Sequence, residues 1–141
     1  MFFKGNKLFA CGKLFIVTNV TNGKGWNSNG QLGTGTRNDS YGDFVEVSFD
    51  TKSIKDITVG AQFSVLVTHD SSLFGCGISV DSSNNDLFTR IVTPFTVGIR
   101  GVVCGGFRSF IQLENNELYT CSNISSSFEK LEVDEPLTGK Y

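Results

Sequence analysis

Residues 54–78, IKDITVGAQFSVLVTHDSSLFGCGI, alternate apolar and polar positions in short runs separated by turn residues. An alternating run through Ile54, Ile57 and Val59 stops at Gly60, a second spans Phe63 to Thr68 and ends in the polar turn HDSS, and a third is LFGCG. A side-chain period of two bounded by glycine or a polar cluster is the signature of a strand packed on a pleated surface, so the segment predicts three antiparallel strands.

The same pattern returns without a gap at residues 99–123, IRGVVCGGFRSFIQLENNELYTCSN, 45 positions further on. Ile54 and Ile99, Gly60 and Gly105, Ser64 and Ser109, Leu73 and Leu118, and Cys76 and Cys121 are identical pairs. Ile57 faces Val102, Leu66 faces Ile111 and Phe74 faces Tyr119. A fourth strand is expected after each third one, from FVEVSF (44–49), FTRIVTPFTV (88–97) and FEKLEV (128–133). Four strands in a repeat of roughly 40 to 50 residues is the arithmetic of a β-propeller blade. The repeat units fall at about 1–53, 54–98 and 99–141.

An earlier third strand is read at LFACG, residues 8–12. Removing KLFIVTNVTNGKG (13–25) joins it to WNSNGQLGTG and brings the spacing between units close to the later one, so 13–25 reads as an insertion. Its Asn22-Gly23 pair is a strong turn signal, which predicts an added hairpin suited to wedge into a partner. The alternative is an intron translated in frame.

Composition supports an all-β class: 16 Gly and 13 Phe against 2 Pro in 141 residues favour short strands and tight turns. Twelve Lys and Arg against 14 Asp and Glu give a net charge of −2 without a basic run, which argues against direct nucleic-acid binding. The apolar runs are too short to span a bilayer, and Lys7 and Lys13 interrupt the N-terminal one, so neither a membrane nor a secretion signal is expected and the protein reads as intracellular, cytoplasmic or nuclear. The sequons at Asn19, Asn38 and Asn123 are read as chance occurrences.

LFACG, WNSNGQLGTG and the following Ile-x-x-Ile-x-x-Gly resemble the repeat of the regulator of chromosome condensation family, with the best match over 25–77. The resemblance implies part of a seven-bladed propeller, two to three four-stranded blades, in which Gly25, Asn27, Gly30, Gln31, Leu32, Gly33, Gly60, Gly77 and Gly105 are structural motif positions. Gly30, Gly33 and Gly35 are expected where a side chain would collide with a turn or neighbouring backbone. Where the family places His three residues after the repeat glycine, Phe63 and Arg108 stand here, and Cys11, Cys76 and Cys121 replace its third-strand Trp.

Those three cysteines occupy one repeat position in separate blades, too far apart for a disulfide, and read as buried free thiols. No cysteine or histidine pair has metal-ligand spacing, and His69, Asp70, Ser71 and Ser72 are consecutive, whereas a catalytic triad converges from distant segments. No cofactor, metal or catalytic residue is assigned, and the protein is expected not to be an enzyme. Two or three blades leave open sheet edges, so self-association or a truncated chain is expected, EPLTGKY (135–141) adding no closing strand. The functional expectation is a protein-interaction module, with Arg37, Asp39 and Tyr41 as the candidate contact loop. The alternative that the resemblance implies is guanine-nucleotide exchange on a small GTPase.

Overall fold

The computed structural model describes residues 2–4, 7–9, 21–47, 49–50, 53–79 and 84–132. Among the described residues, twelve strands are arranged as antiparallel sheets: β1 (Phe2–Lys4) with β2 (Lys7–Phe9), and β3 (Thr21–Gly25) with β4 (Ser40–Val47). Two four-stranded meanders follow, β5 (Ile54–Val59), β6 (Phe63–Thr68), β7 (Leu73–Ile78) and β8 (Asn84–Ile91), then β9 (Ile99–Gly105), β10 (Arg108–Leu113), β11 (Leu118–Ser122) and β12 (Glu129–Leu131). Each meander is a propeller blade, and the fold is a partial all-β propeller.

All six residues of β6 are buried, because both faces of its sheet are covered. Phe63, Val65 and Val67 join Leu73 and Ile91 against Val102, Ile111, Leu113, Cys121 and Ile124 of the second blade. On the opposite face Leu66 and Ile57 pack on Leu32 of the preceding loop, beside Phe49, Phe74 and Phe88. Phe49 meets the rings of Phe74 and Phe88 edge-on at 5.1 and 5.9 Å. Polar contacts also stitch β5 to β9: Lys55 Nζ donates to Ile99 O at 2.7 Å, and Cys104 N to Thr58 Oγ1 at 3.0 Å. The blades therefore share one apolar seam and do not act as independent hairpins.

Two local expectations are corrected. Asn22 and Gly23 pair with Glu46 and Val45 inside the β3–β4 ladder, so they form no hairpin turn and the proposed wedge loses its tip. Asn-Gly favours a turn only when its neighbours can pair with each other, and here a strand 22 residues downstream offers the ladder instead. The strand expected over 88–97 begins at Asn84 and ends at Ile91. Pro94 cannot donate to a ladder and disfavours a sheet conformation beyond it, so the chain leaves as the β8–β9 connection. Most of 13–25, Cys11 and EPLTGKY lie outside the described residues. No helix among the described residues is long and apolar enough to cross a membrane.

Candidate functional site

The segment 26–36 leaves β3 and folds around a wholly buried Asn27. Asn27 Oδ1 accepts from Leu32 N at 2.9 Å, and Nδ2 donates to Thr36 O at 2.7 Å and Thr34 Oγ1 at 3.2 Å. A short amide side chain with an acceptor and two donors can thereby close both arms of one loop, which explains Asn at this position. The backbone turns tighten it further, Gly30 N donating to Asn27 O at 2.8 Å and Gly33 N to Gly30 O at 2.9 Å. Gln31 Oε1 accepts from Asn29 N at 3.0 Å.

The loop does not hang free; it clamps the blade that follows. Gly35 N donates to Asp86 O at 2.8 Å, Ser64 Oγ to Gln31 O at 2.7 Å, and the Cys76 thiol to the same carbonyl at 3.3 Å. At Gly30, with φ at +79°, an added Cβ would lie 2.7 Å from Asp86 Cα. At Gly33, with φ at +69°, it would lie 2.8 Å from the Phe88 ring. Left-handed backbone and close approach together require glycine at both places. Gly25 pairs with Ser40 in the β3–β4 ladder, and Gly77, at φ +100°, would place a Cβ 2.4 Å from Gln62 O.

Arg37 and Asp39 take part in this clamp. Arg37 Nε donates to Asp86 Oδ1 at 2.8 Å, and Asp39 Oδ1 accepts from Asn27 N at 2.7 Å. Tyr41 is the second residue of β4. The Arg37–Asp86 pair is solvent-exposed, and Arg37→Ala is expected to shift urea unfolding by less than about 1 kcal/mol. A larger loss would give the pair a structural weight that its exposure does not.

A cleft opens instead where the β6–β7 turn faces the β8–β9 connection. Its volume is about 550 Å³. Leu73, Ile91, Phe95 and Val97 form its apolar lining, and Ser72, Thr93, Thr96 and Arg90 bring polar groups to it. The Phe95 ring is fixed against Tyr119 and Phe128 of the second blade, at centroid distances of 4.7 and 4.9 Å. Ser71, at φ +64°, accepts from Ile99 N through Oγ at 3.0 Å and so ties the turn to β9. Asp70 is held below the usual carboxylate range first by the Thr68 hydroxyl, which donates to Oδ1, and then by Ser72. His69, Asp70, Ser71 and Ser72 are therefore a hydrogen-bonded turn at the edge of the cleft. Sequence reasoning placed Arg90 and Phe95 inside one strand; Arg90 does lie in β8, whereas Phe95 lies beyond its end, and Pro94 was the signal that the strand had ended.

Cys76, Cys104 and Cys121 are free thiols, with Cys76 and Cys121 buried. Burial pushes all three thiols up, Cys104 to about 11, against hydrogen bonds from Ser109 and Thr58 that pull it down. The folded state thus keeps a Cys104 proton that the unfolded chain releases near pH 9, so this group's contribution to stability is whole below pH 9 and is lost between 9 and about 11. At pH 8 its thiolate population is about a hundredfold below that of an unperturbed thiol, and native-state alkylation is expected to slow accordingly. Mass spectrometry with and without denaturant reads this out; equal rates would contradict the burial. Among the described residues no cluster of His, Cys, Asp and Glu has the geometry to hold a metal.

No protein-family model matches the chain. Among curated proteins it is 35% identical over 121 residues to the secretion-regulating guanine nucleotide exchange factor of Bos taurus, covering 77% of this chain and 25% of the relative. The chain thus spans about a quarter of that protein's length. Among solved structures it resembles human WBSCR16, with a TM-score of 0.73, 18% identity, and coverage of 86% of this chain and 36% of the other. It also resembles yeast RCC1 (Prp20), solved with Kap60, with a TM-score of 0.63, 22% identity, and coverage of 77% and 27%.

Proposed function

From its membership of the regulator of chromosome condensation repeat family, we propose that this chain acts by binding a protein partner and not by covalent catalysis. The observation that carries the reading is the cleft between the β6–β7 turn and the β8–β9 connection. It combines an apolar lining with convergent polar groups, on loops held by two packed blades. Rigid sheets presenting variable loops are a common way to build a binding surface, and a volume of this order accepts a few side chains.

Val92 projects from the cleft edge with 76% exposure, so its replacement leaves the core intact. Cross-linked capture with the 141-residue chain is expected to retain a discrete set of proteins that Val92→Asp loses. A capture pattern unchanged by that substitution would sink the reading.

A second reading, guanine-nucleotide exchange on a small GTPase, is favoured by the name of the bovine relative. Exchange proceeds by tighter binding of the nucleotide-free partner, so it needs a contact surface and no acid–base pair. Release of a fluorescent GDP analogue from a panel of small GTPases tests it. Acceleration well above the intrinsic rate supports exchange, and no acceleration removes it while leaving the binding reading in place.

A further inference from the structure

Arg90 stands exposed near the end of β8, on the cleft, where its backbone pairs with Phe74 and its side chain has no hydrogen bond or ion pair with another described residue. Two other arginines are committed elsewhere: Arg37 to Asp86, and Arg100 to Asn116 Oδ1 at 2.6 Å and Glu114 O at 2.8 Å. The carboxylate nearest in the cleft, Asp70, already accepts from Thr68 Oγ1 and from Ser72 N at 3.1 Å, and Arg90 acts on it only through space. An exposed guanidinium presents a planar donor fork that matches a carboxylate. Beside it lie the exposed Val92 and the half-buried Phe95 and Val97, over the buried Leu73 and Ile91.

We propose that this cleft docks an acidic–apolar segment of the protein partner, an aliphatic side chain seated on Val92, Phe95 and Val97 and an adjacent carboxylate held by Arg90. The inference rests on the protein-binding reading and adds the chemistry of what is bound. A basic segment is repelled by the guanidinium, and the Oδ1 oxygen of Asp70 already accepts from Thr68 and Ser72. The hydroxyls of Thr93 and Thr96 supply further donors to the segment's carbonyls.

Two capped peptides test this on the 141-residue chain, one with Leu flanked by Asp and one with Leu flanked by Lys, titrated by amide NMR at low and moderate salt. The Asp peptide is expected to bind, shifting the amides of 70–73 and 90–98, and to weaken as salt rises. Arg90→Glu should weaken it by about tenfold or more, and Val92→Ser by a few-fold, both at exposed positions where the native spectrum is retained. Arg90→Gln separates charge loss from charge reversal, with an intermediate effect expected. Failure of the Asp peptide to bind, equal binding of the Lys peptide, or an affinity unchanged by Arg90→Glu would each overturn the proposal. Partner capture that is lost with Val92→Asp but kept with Arg90→Glu would also overturn it, while leaving protein binding itself intact.

Discussion

Phe63→Ala is expected to lower stability by about 3–5 kcal/mol, read as a fall in the urea midpoint at unchanged slope. Phe63 is 1% exposed and lies in the seam that joins the two blades, so truncation opens a cavity in the largest shared core. Its ring also rests on Gly60, where an added Cβ would fall 2.1 Å from the ring edge. Gly60→Ala alone is expected to cost about 1–3 kcal/mol by overpacking. In the Phe63→Ala background the same methyl enters vacated space, and its cost should largely vanish. The two substitutions thus form a strongly non-additive cycle, and additive losses would show that Gly60 is required for some reason other than the ring. Gly105 holds the same repeat position, but an added Cβ would meet nothing within 4 Å, since Arg108 replaces the phenylalanine. Gly105→Ala is expected to change stability by no more than about 0.5 kcal/mol.

The second large effect is expected at Asn27. Asn27→Asp preserves the shape and the bond from Leu32 N, but it turns the two Nδ2 donors into an oxygen facing the Thr36 carbonyl and the Thr34 hydroxyl. A buried acceptor set against an acceptor, carrying a charge at neutral pH, is expected to cost about 2–4 kcal/mol. Burial without a cationic partner raises the folded-state pKa of the new carboxyl above its unfolded value. Its penalty is therefore fully developed above the folded pKa and shrinks as pH falls through that value. The difference between variant and parent should accordingly be smaller near pH 4 than at pH 8. Because the loop clamps β8 through Gly35 and Asp86, amide exchange should rise at Leu32 and Gly35 before the β6 amides are affected. A pH-independent loss, or exchange rising equally in β6, would contradict this account.

The chain's strand content was legible because half-buried strands impose a period of two on the residues themselves. The 45-residue offset carried that pattern from one blade to the next, and the left-handed turns at Gly30, Gly33 and Gly35 fall where the glycines stand. The Asn22-Gly23 pair misled because turn propensity is local, whereas the β3–β4 ladder that overrides it is not. The boundary at Ile91 was missed because apolar residues continue past it to Val97, and only Pro94 marks the change.

What the sequence determined by itself was the all-β class, the blade-sized repeat and the turns, all of them properties of neighbouring residues. The partners across the fold came only with tertiary structure. Arg37 finds Asp86 across 49 residues, and Gln31 is met by Ser64 across 33 and by Cys76 across 45. The loop of Arg37 and Asp39 also clamps the next blade, while the cleft beside Arg90 forms from two segments that are separate in sequence. Alternation states that a residue has a buried face; which surface covers that face is decided only when the blades pack, since packing and electrostatic partners are set by distance in space and not along the chain.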